Sequence, residues 1–85
     1  MQNVVIYTTR FCPYCQMAKH LLARKGAPFE EIDVTGDHAA RDALVAKSGG
    51  RRTVPQIWIG DTRVGGFDDL AALDRAGRLD ALLAD

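Results

Sequence analysis

Cys12 and Cys15, the two cysteines of this 85-residue chain, stand in the run Cys12-Pro13-Tyr14-Cys15, just after an apolar stretch. That spacing suits reversible disulfide chemistry if the chain places both sulfurs at the start of a helix. Val4 to Tyr7 reads as a buried strand, Thr8 to Phe11 as a short loop, and Pro13 onward as a helix that tolerates proline in its first turn. Cys12 then falls at the helix N-cap. Free backbone N–H groups and the positive end of the helix dipole favour a thiolate there, and Arg10 adds a nearby cation. Cys12 is the predicted nucleophile. Cys15, one turn on and on the same side but away from those N–H groups, is the predicted resolving thiol. A structural or metal-binding pair is the competing reading of the same spacing.

The elements that must position the pair follow from the apolar pattern. A first helix is predicted over Pro13 to Lys25, with Cys15, Ala18, Leu21 and Leu22 on one side and Gln16, Lys19, His20 and Arg24 on another. Gly26 ends it. Phe29 to Val34 reads as a second strand before the turn Thr35-Gly36-Asp37, and strand-helix-strand units of this kind make parallel strands through a right-handed crossover. Asp37 to Lys47 is a predicted second helix with Ala40, Ala43 and Leu44 inward, stopped by Ser48-Gly49-Gly50. Gln56 to Ile59 and Thr62 to Val64 then form a hairpin around Gly60-Asp61, since glycine first in a two-residue loop favours a type II′ turn. After Gly65-Gly66, Asp68 or a neighbour caps a third helix carrying Leu70 and Leu73, and a last short helix follows Gly77. The order is β-α-β-α-β-β-α, an α/β domain with a four-stranded mixed sheet flanked by helices.

Composition narrows the function classes. Eighty-five residues make one small domain, with 47% hydrophobic and 26% charged residues as in ordinary soluble globular proteins. Eleven basic residues balance eleven acidic ones, so there is no electrostatic footprint for nucleic acid. No stretch approaches the ~20 apolar residues of a membrane span, and Met1-Gln2-Asn3 runs straight into the first strand without a secretion signal. A cytoplasmic location is therefore expected. Two closely spaced cysteines in a reducing compartment fit a catalytic pair better than a secreted disulfide framework.

With Cys12-Pro13-Tyr14-Cys15, Thr53-Val54-Pro55 and Gly65-Gly66-Phe67-Asp68-Asp69 in this order, the whole chain resembles the bacterial dithiol glutaredoxins, which have a thioredoxin-like fold. The resemblance implies a cis peptide bond before Pro55, facing the cysteine pair, with the N–H and C=O of Val54 free to pair with the backbone of a thiol substrate such as glutathione. Gly65 and Gly66 permit close backbone approach. The N–H groups of Phe67, Asp68 and Asp69 open a helix and make a carboxylate site, while the aspartates can cap that helix or pair with an ammonium. A γ-glutamyl end carries both groups. Glutaredoxins often have lysine three residues before the nucleophile, where this chain has Thr9; Arg10, Lys47, Arg51 and Arg52 are the candidate replacements for binding the glycyl carboxylate. Tyr14 is expected over the groove, with Phe11 in a similar role, and Trp58 as a packing residue. His20 and His38 read as exposed surface residues.

The resemblance implies a glutathione-dependent thiol-disulfide oxidoreductase, monomeric and without bound metal or organic cofactor. Its expected partners are glutathione and disulfide-containing or glutathionylated client proteins such as ribonucleotide reductase. A related carrier reduced by thioredoxin reductase would share the fold and the cysteines, but the acidic segment argues for glutathione. A metal module built from Cys12, Cys15, His20 and His38, or an iron–sulfur cluster shared by two chains, is disfavoured. His20 points along the wrong helix face, and Pro13 stands where cluster-binding relatives have a more open residue.

Overall fold

Alternation in the first five strand residues decides how the molecule layers. Val4, Ile6 and Thr8 are buried on one face of β1 (Val4–Thr8), while Val5 and Tyr7 on the other are half-buried. The computed structural model describes residues 1–84, which leaves only Asp85 of the expected 1–85 domain outside the described residues. After β1 come α1 (Pro13–Arg24), β2 (Glu30–Asp33), α2 (His38–Lys47), β3 (Gln56–Ile59), β4 (Thr62–Gly65), α3 (Phe67–Arg75) and α4 (Leu79–Leu83). The four strands form one mixed sheet in the order β2-β1-β3-β4. β1 and β2 are parallel, and β3 runs antiparallel to both β1 and β4. This is the thioredoxin-like arrangement expected from the sequence.

Ile6, Ile57 and Ile59 form the floor of the core, and Ala18, Leu21 and Leu22 of α1 with Leu70, Leu79 and Leu83 of α3 and α4 close it. Removing such apolar surface from water supplies the main driving force, about 25 cal/mol per Å². On the opposite face Trp58 packs edge-on to Tyr7 with ring centroids 5.4 Å apart, and the Lys47 ammonium lies 4.4 Å from the Trp58 ring centroid. Trp58 is thus a packing residue, as expected.

Four local expectations need correction. Lys25 is the C-cap of α1 rather than its last residue, and its ammonium pairs with Asp74 at 2.6 Å and Asp80 at 3.2 Å, so it belongs to the junction with α3 and α4. β2 is shorter than Phe29 to Val34. The Asp33 carboxylate accepts the N–H of Thr35 at 2.8 Å and turns the chain, although the N–H of Val34 still reaches the Thr8 carbonyl at 2.9 Å. Asp37 is the N-cap of α2, its carboxylate accepting the Ala40 N–H at 3.0 Å, rather than its first residue. Ala43 is exposed, because α2 turns Leu44 and Ser48 inward with Ala40, Arg41 and Val45 half-buried beside them. Between β3 and β4, Gly60 has φ +58° and Asp61 does not have positive φ, which fits the II′ turn.

Candidate active site

Cys12 occupies the N-cap of α1 in extended geometry (φ −139°, ψ 98°), with Pro13 in the first helical turn. Its sulfur accepts the backbone N–H of Cys15 at 3.1 Å. The two cysteines are joined as a disulfide, with Cα atoms 5.2 Å apart. Cys15 is fully buried against the core while Cys12 is half-buried, so an incoming thiol reaches Cys12 first.

Across from the pair, the Val54–Pro55 peptide bond is cis and the Val54 carbonyl oxygen lies 3.8 Å from the Cys12 sulfur. The N–H of Val54 has no partner among the described residues. From this point a groove of about 280 Å³ runs between the 51–56 segment, Tyr14 and the start of α3. Arg51, Thr53, Val54, Pro55 and Gln56 line it together with Tyr14, Gly66, Phe67, Asp68 and Asp69, and Arg63 reaches it from β4. Tyr14 is 58% exposed, and its ring centroid lies 6.4 Å from that of Phe67, so the two rings form an apolar wall.

Several hydrogen bonds set this shape. The buried Ser48 hydroxyl oxygen accepts the N–H of Arg51 at 3.0 Å, and the Arg41 guanidinium donates to the Arg52 carbonyl at 2.6 and 3.1 Å. Together they fasten the segment before Thr53 to α2. At the start of α3 the N-cap is Gly66, not an aspartate, and the Asp69 carboxylate reaches back to accept its N–H at 3.0 Å. Gly65 has φ +112°, which favours glycine, and a Cβ there would also displace that carboxylate from the Gly66 N–H. At Gly66 a Cβ would meet only the Pro55 carbonyl oxygen at an ordinary 3.6 Å.

Of the predicted binding residues, the groove gathers Tyr14, Arg51, Thr53, Val54, Pro55, Gly66, Phe67, Asp68 and Asp69. Three cations lie outside its lining. Arg10 donates its backbone N–H to Thr35 Oγ1 at 2.7 Å, and its charge adds to the lowering of the Asp33 pKa, which comes mainly from hydrogen bonds to Thr35. Lys47 sits over Tyr7 and Trp58, and Arg52 lines a separate small depression with His38 and Arg41. Phe11 is 89% exposed and also outside the lining. Two lining residues, Gln56 and Arg63, were not singled out from sequence. An uncharged polar residue directly after Pro55, in a strand otherwise wholly apolar, was the available signal for Gln56. Among the described residues, no three His, Cys, Asp or Glu side chains converge as a metal site, and no helix is long and apolar enough to cross a membrane.

A disulfide at a helix N-cap, set against a cis-proline loop in this four-stranded sheet, defines a thiol-disulfide oxidoreductase of the thioredoxin-like fold. Comparison with known proteins sharpens that class. The glutaredoxin family model matches residues 4–64. The chain is 61% identical to a glutaredoxin of Pseudomonas aeruginosa over 84 residues, covering 99% of both chains. The solution structure of glutaredoxin from Brucella melitensis superposes with a TM-score of 0.85 at 54% identity, over 98% of this chain and 89% of that one. A buckwheat glutaredoxin–glutathione complex superposes with a TM-score of 0.85 at 31% identity, over 94% and 74%. The chain belongs to the glutaredoxin family, and its chemistry is thiol-disulfide exchange through Cys12 and Cys15.

Proposed function

We propose that this protein uses glutathione to reduce protein disulfides and glutathione mixed disulfides, with Cys12 as nucleophile and Cys15 as resolving thiol. The observation that carries this reading is the continuity of the groove. It begins at Val54, whose carbonyl oxygen lies 3.8 Å from the Cys12 sulfur and whose N–H has no partner among the described residues, and it takes in the α3 N-terminus with Asp68. A tripeptide thiol needs such a path: a backbone partner for its cysteine and charged partners for its ends. The buckwheat complex shows that a protein of this fold binds glutathione.

Starting from the disulfide, a glutathione thiolate attacks the Cys12 sulfur. The Cys12–Cys15 bond breaks, and Cys15 leaves as a thiolate that takes up a proton. A second glutathione thiolate attacks the glutathionyl sulfur, releasing glutathione disulfide and the Cys12 thiolate. Two electrons have then passed from two glutathiones to the protein. In the client direction the Cys12 thiolate attacks a client disulfide, and Cys15 or glutathione resolves the resulting mixed disulfide. No bound prosthetic group enters these steps. Ribonucleotide reductase and other cytoplasmic enzymes that end a turnover with a disulfide suit this chemistry, and a monomer suffices for it.

A coupled assay tests the reading. NADPH consumption with a glutathionylated client is expected when glutathione and glutathione reductase are supplied. Turnover with thioredoxin reductase alone, and none with glutathione, would replace it with the carrier reading.

A further inference from the structure

Arg63 is a groove cation without a carboxylate partner. It lines the same groove as Gly66, Asp68 and Asp69, yet it pairs with neither aspartate, and no other carboxylate among the described residues pairs with it. Instead its Nη2 donates to Oε1 of Gln56 at 2.7 Å. Gln56 is 2% exposed, and its Nε2 donates to Thr53 Oγ1 at 3.2 Å. The buried amide is therefore held at both ends, and it fixes the guanidinium at the groove wall while leaving most of its five N–H donors free. The Asp69 carboxylate is occupied by the Gly66 N–H, whereas that of Asp68 has no partner among the described residues.

A pre-positioned cation, an unpaired carboxylate and the first N–H groups of α3 in one groove match an α-amino-acid zwitterion. We propose that Arg63 is a specificity-determining residue that receives the α-carboxylate of the γ-glutamyl end of the substrate, while Asp68 takes its ammonium. This assignment rests on the glutathione reading above. It leaves Arg51, the other groove-lining cation, for the glycyl carboxylate at the Thr53 end.

The test compares two mixed disulfides of one client peptide. One carries glutathione; the other carries 4-aminobutyryl-cysteinyl-glycine, which lacks only the α-carboxylate and keeps the ammonium. The wild-type protein is expected to favour the glutathione disulfide in kcat/KM by about fivefold, the size of a partly exposed ion pair. Arg63→Gln should shrink that preference and Arg63→Lys should retain more of it, whereas Asp68→Ala should weaken both substrates alike. If Arg63 acts only by holding Gln56, Arg63→Gln will slow both substrates equally with the wild-type preference intact, and the proposal falls. It falls equally if the wild type does not distinguish the two. Failure of the wild type to turn over either disulfide with glutathione would instead remove the glutathione reading itself.

Discussion

The backbone N–H of Cys15 donates to the sulfur of Cys12 at 3.1 Å, so the amide of the proposed resolving residue solvates the proposed nucleophile while the Cys15 side chain is fully buried. In the reduced protein that amide and the helix N-terminus are expected to favour charge on Cys12 over Cys15. Each unit by which a thiol pKa falls below ~8.5 multiplies its thiolate fraction about tenfold near neutral pH. Iodoacetamide at mildly acidic pH is therefore expected to modify Cys12 well before Cys15, as read by peptide mapping. Labelling that starts at Cys15 would reverse the two roles.

Asp68 and Asp69 divide two tasks that the sequence presents as one motif. Asp69→Ala removes the carboxylate that holds the Gly66 N–H, and is expected to cost about 1 kcal/mol of stability and to weaken glutathione binding. Asp68→Ala breaks no hydrogen bond among the described residues and should raise KM for glutathione severalfold with little change in Tm. Thermal melts beside glutathione kinetics separate them. Equal melting losses for both variants, or unchanged kinetics in both, would contradict this division.

Thr8 and Glu31 couple β1 to β2 in a pH-dependent way. The buried Thr8 hydroxyl donates to Glu31 Oε2 at 2.7 Å, and Lys19 reaches the same oxygen at 3.0 Å. The Thr8 hydrogen bond outweighs the opposing desolvation and, with the Lys19 pair, holds the Glu31 pKa below its ordinary value. The folded state thus favours ionised Glu31. Its contribution is complete above the ordinary glutamate pKa of ~4.3 and disappears as pH falls through the lowered folded value. Glu31→Gln should cost about 0.5–1 kcal/mol at pH 7, and the gap from wild type should narrow at a pH well below the ordinary value of ~4.3. Urea unfolding at both pH values checks this, and a gap of constant size would contradict it.

Strand and helix order were legible because β1 and the helices have a clear apolar period and the boundaries carry glycine, proline or a capping residue, while β2 (Glu30–Asp33) alternates only weakly and was placed by its flanking Pro28 and turn. The N-cap position of Cys12 followed from Pro13 alone. Of the four candidate cations only Arg51 lines the groove, because a long flexible side chain near the groove in sequence can point elsewhere: Lys47 turns to the rings of Tyr7 and Trp58, and the Arg10 segment is drawn to Thr35. Gln56 and Arg63 escaped notice for a related reason. Their partnership spans two strands at the β3–β4 irregularity, where simple alternation does not tell which side chains meet.

The central claim is that Cys12 carries the glutathionyl group. It is tested most directly by mixing reduced Cys15→Ser with glutathione disulfide and mapping the product by mass spectrometry. The Cys12 thiolate should attack one sulfur of the disulfide, release one glutathione, and keep the other as a single adduct that the missing resolver cannot expel. One glutathionyl group on Cys12, and none on Cys12→Ser treated alike, is the predicted result. A Cys15→Ser protein that never acquires the adduct, and reduces no glutathionylated client, would contradict the account.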